Sequence, residues 1–170
     1  DFAAHCIGSH LKDLRREIPG VRRHEDIEPL HRMRVASRRA RTAVALLGAA
    51  AEVPDGAPRA LRSVTRRLGA ARDLDVQIQW LAAFRENAGR AERPGVDRML
   101  LRLRQSRDRI QPRLERLLDR MEEGGDLQRL EEHLLRLRLH QAEHRRAHAR
   151  ALPLRHDPET RQVKLAGARL

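Results

Sequence analysis

The chain has 170 residues, enough for one compact domain with its own core, and its 36 Lys and Arg against 24 Asp and Glu leave a formal charge of +12. A balance this basic points to an acidic partner such as nucleic acid, a polyphosphate or an anionic surface. A single cysteine, Cys6, excludes an intramolecular disulfide framework, and the longest apolar run, Ala43 to Ala51, is too short to span a bilayer.

Ala, Leu, Arg and Glu dominate, and no stretch alternates long enough for a strand. Proline and glycine punctuate a helical pattern at Pro19-Gly20, Pro54-Asp55-Gly56, Pro94-Gly95, Gly124-Gly125 and Pro153. These marks predict a first helix near 3–17 and a second over about 27–50. A third covers 57–69 and a fourth 73–88, with Asp73 as its N-cap. The fifth runs over 96–123 with a kink at Pro112, the sixth over 126–151, and a seventh begins near 158. The expected fold is all-α, an antiparallel bundle of six to seven helices.

The second helix carries the clearest chemistry. At about 100° per residue, Met33, Ala36, Ala40, Ala43, Val44 and Leu47 form one stripe, which should be buried. His31, Arg34, Arg38 and Arg41 fall on the other side, with Arg32 and Arg39 on a flank. From Leu30 to Leu47 there is no acid at all. Solvated helix faces ordinarily mix signs, because like charges one turn apart destabilise a helix by tenths of a kcal/mol. The fifth and sixth helices do mix them, as in Arg113-Glu115, Arg120-Glu122 and Arg129-Glu132. Uncompensated arginine on an ordered element suits phosphate, whose oxygens the guanidinium fork engages two at a time.

Two segments together carry a resemblance. His31-x-x-Arg34-Val35-Ala36-x-Arg38-Arg39-x-Arg41 is similar to the signature helix of the CHAD family, the conserved histidine α-helical domain. Leu68-Gly69-Ala70-Ala71-Arg72-Asp73-Leu74-Asp75-Val76 resembles the family's LGxxRDLDV element. Members consist of two similar bundles, so residues 1–151 are expected to form the first bundle and 158–170 the truncated start of the second. The segment Val163-Lys164-Leu165-Ala166 echoes Met33-Arg34-Val35-Ala36, but Arg161 stands where His is expected and Ala168 where a basic residue is expected.

The resemblance implies binding of inorganic polyphosphate in a basic groove, association with polyphosphate granules in the cytoplasm, and no catalysis by this domain. Carried over residue by residue, it assigns ligand contact to His31, Arg34, Arg38, Arg39 and Arg41, together with Arg72. Arg66 and Arg67 extend the groove if the third helix lies beside the second. Nucleic acid is the alternative partner, as a weaker polyanion. Readers of single strands usually offer aromatic platforms, and Trp80 and Phe84, among Val76, Ile78 and Leu81, read as core instead. Asp73 and Asp75 read as helix-start acids rather than metal ligands, and His140, His144 and His148 as part of a basic patch. No cofactor or metal is expected.

Overall fold

The computed structural model describes residues 2–151; the predicted seventh helix and the echo at 158–170 lie outside the described residues. Those described form six helices and no strand: α1 (Phe2–Arg16), α2 (Ile18–Arg23), α3 (Glu28–Leu47), α4 (Gly56–Asn87), α5 (Arg93–Glu122) and α6 (Asp126–Ala151). The fold is all-α, as the composition requires. Two compact units divide the chain, Asp1–Arg138 and Leu139–Leu170. In the second, the rings of His140 and His144 meet edge to face at 4.8 Å. The rest of the description concerns the first.

Two boundaries differ from the sequence pattern. Pro19-Gly20 does not end a helix but lies inside α2, where proline near the N-terminus costs no hydrogen bond. The predicted break at Gly69–Asp73 is absent, so the third and fourth helices are one, and Asp73 is a mid-helix residue rather than an N-cap. The fifth helix is continuous as expected, with Pro112 in its interior. The nearby Gln111 side chain bonds the Val21 carbonyl, Glu115 and Arg107, tying α5 to the α2 end of the bundle where the proline removes a backbone donor.

The main core draws on all six helices. Ile7, Leu11 and Leu14 of α1 meet Met33, Ala40 and Val44 of α3, with Leu61, Val64 and Leu68 of α4, Leu114 and Leu118 of α5, and Leu130 of α6. Gly20 is required where α2 crosses the start of α3: a Cβ there would lie 2.7 Å from Pro29 Cβ. Gly20→Ala should therefore destabilise the chain by about 1–3 kcal/mol in a urea titration, through overpacking against a rigid ring.

The ion pairs Asp75–Arg107 and Arg85–Asp97 show that α4 and α5 run antiparallel, since the partner number falls as the α4 number rises. Arg85 holds the Asp97 carboxyl below the usual carboxylate range. At 32 and 30 residues these helices outreach the 20-residue α3 by roughly 15 Å at 1.5 Å per residue. Their far ends share a separate small core of Leu81, Ala88, Val96 and Leu100. That overhang corrects the expectation for the aromatics: Trp80 is 67% and Phe84 45% exposed, stacked on each other at 5.8 Å. Among the described residues no third helix covers their side of the hairpin.

Candidate anion-binding site

Pro29 near the N-terminus of α3, with Glu28 in the first turn and Asp26 Oδ1 accepting from the Glu28 amide at 3.0 Å, starts the helix where its dipole is complemented. Met33, Ala36, Ala40, Ala43 and Val44 are buried as the stripe predicts, joined by Ser37, whose hydroxyl donates to the Arg34 carbonyl at 2.8 Å. Small residues along this stripe let neighbouring helices approach closely. The basic residues are thereby left on the shoulders and back of the helix.

Arg32 does not belong to the free set. Glu17 reaches it from the α1–α2 junction at 2.8 Å, and this hydrogen bond raises the guanidinium pKa further. His31 is part-buried, while Arg38, Arg39 and Arg41 are exposed, and no acid pairs with any of the three arginines among the described residues.

Arg34 is placed differently from a residue opposite the core. It stands on the shoulder facing α4, where a Cβ on Gly69 would lie 3.7 Å from its Nε. That Nε is buried and has no hydrogen-bond partner. One turn further along α4, Arg72 Nη1 is in the same condition. A buried, unsatisfied donor ordinarily costs about 1–3 kcal/mol. Two of them, on cationic groups brought to adjoining turns of one helix pair, make donors poised for an anion. Gly69 matters here by its small size, because it leaves room for the Arg34 side chain against the α4 backbone.

On the other shoulder, α1 and α3 enclose a cavity of about 650 Å³ lined by Phe2, Cys6 and His10 of α1 and by Arg34, Arg38, Arg39 and Thr42 of α3. His10 Nδ1 is buried without a partner. The sequence pattern had singled out nothing on α1, and only the docking of α1 on α3 brings His10 beside the arginines.

Of the two outlying candidates, Arg66 is exposed on the flank of α4 near Gly69. Arg67 does not extend this groove. It lines cavities between α4 and α5, some 200° around the helix from Gly69.

Asp75 and Arg107 were both missed as a pair. Arg107 Nε donates to Asp75 Oδ1 at 2.8 Å with the two side chains only 5% and 3% exposed. Arg107 also approaches His24 Nδ1 at 3.2 Å. Since arginine can only donate, that nitrogen accepts and the ring carries its proton on Nε2. The second Asp of the Arg72-Asp73-Leu74-Asp75 run thus locks α4 to α5 rather than starting a helix or holding a metal. Among the described residues no group of three His, Cys, Asp or Glu side chains is arranged for a metal ion, and no helix is long and apolar enough to cross a membrane.

Comparison with curated proteins and with solved structures finds no match. The family model described as the CHAD domain matches residues 5–170, spanning both the α3 face and the Gly69–Arg72 turn that meets it, and the chain belongs to the CHAD family.

Proposed function

We propose that this chain binds inorganic polyphosphate, with His31, Arg34, Arg38, Arg39 and Arg41 of α3 and Arg72 of α4 as the contacting residues. It acts as a binding module rather than an enzyme, and serves to place its protein on polyphosphate granules in the cytoplasm. The observation that carries the reading is the pair of buried, unpartnered donors, Arg34 Nε and Arg72 Nη1, with three further α3 arginines, Arg38, Arg39 and Arg41, that no described acid pairs with. A repeating phosphate chain supplies closely spaced oxygens and needs no aromatic surface. Charge-assisted hydrogen bonds to it would satisfy those donors at about 1.5–3 kcal/mol each.

A second reading, DNA or RNA binding on the same face, gains support from one feature: the exposed Trp80–Phe84 stack offers a platform for bases. The two are separable because Trp80 is the chain's one tryptophan. Long-chain polyphosphate should displace labelled single-stranded RNA at far lower concentration than the reverse, and should leave Trp80 fluorescence unquenched. RNA that competes equally and quenches Trp80 would make nucleic acid the ligand.

A further inference from the structure

We propose that α4 and α5 form a second oligophosphate site on the side of α4 away from α3, built from Arg67, Arg113, Arg116 and Arg120. The last three stand at i, i+3 and i+7 on α5, one face over roughly 10 Å of helix. With Arg67 of α4 they line a cavity of about 480 Å³ whose floor is Ala70, Ile110 and Leu114. No acidic residue lines it.

This was not visible in the order of residues, because α5 alternates its signs. Tertiary structure separates them. Arg22 of α2 takes Asp119 at 2.8 Å and also Glu122, while Gln111 donates to Glu115 at 3.4 Å. Glu115, Asp119 and Glu122, the acids beside these arginines, are thus engaged on the α2 side, and Arg113, Arg116 and Arg120 have no ion pair among the described residues. Glu123 and Asp126 line an adjoining cavity with Arg67 and Arg120, and neither pairs with these two arginines, Asp126 taking Arg129 instead. Four guanidinium groups lining one cavity, Arg67 half-buried and the three of α5 exposed, form a concentrated positive field. Their forked donors fit phosphate oxygens, and the lining offers no aromatic ring to hold a base. The ligand class is therefore an oligophosphate, either free and short or a stretch of a long chain. Arg67 and Gly69 face opposite sides of α4, so this site stands independently of the reading of α3.

The test titrates the full 170-residue chain calorimetrically with tripolyphosphate, then with long-chain polyphosphate. Two sites per chain are expected for tripolyphosphate. Arg113→Ala with Arg116→Ala should leave one, with affinity at the other at least tenfold weaker and helicity unchanged by circular dichroism. Arg34→Ala with Arg38→Ala should remove the other class and spare this one. If long-chain affinity also falls in the α5 variant, the occupant is a stretch of the polymer; if only tripolyphosphate is lost, it is a free short oligophosphate. A single wild-type site abolished by the α3 variant alone would overturn the inference and leave the α3 reading standing. An unchanged isotherm in the α5 variant, or equal loss on replacing Arg129 and Arg136 of α6, would overturn it too.

Discussion

Asp75→Ala should destabilise the folded chain by about 3–5 kcal/mol, the cost of leaving a buried charge without its partner. Arg107 is 4% exposed, and its nearest other contacts, Gln111 and His24, are neutral acceptors. Nothing replaces the carboxylate, and water cannot enter without opening the α4–α5 contact. Thermal unfolding followed by circular dichroism should show a fall in Tm of roughly 10 °C. The paired change Asp75→Leu with Arg107→Met should recover most of the loss. Desolvating both ions is expensive, and Asp75 Oδ2 is buried with no hydrogen-bond partner even in the wild type. A loss below about 1 kcal/mol for the single change would mean that the pair does not hold the two helices together.

Arg34→Ala with Arg38→Ala should weaken polyphosphate binding at the α3 face by about 3 kcal/mol or more, at least a hundredfold in Kd. Arg34 carries the larger share because its Nε is already desolvated against Gly69, whereas Arg38 is exposed at the mouth of the α1–α3 cavity. Arg129→Ala with Arg136→Ala removes the same charge from the mixed-sign surface of α6. There Arg129 sits 3.6 Å from Asp126, and Arg136 donates to the Glu132 carbonyl. That variant should change Kd by less than about threefold, the scale of screened surface charges. Equal losses would assign the affinity to net charge rather than to a site. The salt dependence separates them again, since removing two phosphate contacts should flatten the slope by roughly 2.

The amphipathic reading of α3 was legible because its buried stripe and its acid-free basic side are both local patterns. A 20-residue helix beginning at Glu28 must present them on opposite sides. The division of α4 was not legible. Gly69 costs about 1 kcal/mol against alanine, and Asp73 has the chemistry of an N-cap, so the pattern favours a break. The folded chain overrides it with Leu68 and Ala71 in the main core on one side of the glycine and the Asp75–Arg107 lock just beyond. The burial of Trp80 and Phe84 was misjudged for a related reason. Apolar spacing shows which face of a helix is greasy but not whether another helix reaches far enough to cover it.

Residue order alone determined the all-α class, the register of the basic face on α3 and the motif pair that marks the family. Each depends on helical period and side-chain type within a few turns. Tertiary structure decided which charges remain free. Glu17 neutralises Arg32 from the α1–α2 junction, Arg22 draws Asp119 and Glu122 of α5 to one side, and α4 carries Gly69 to Arg34, with Arg72 on its next turn, while turning Arg67 the opposite way. Charge compensation acts through space over a few ångströms, so only the packing of distant segments could settle where this chain keeps its unpaired arginines.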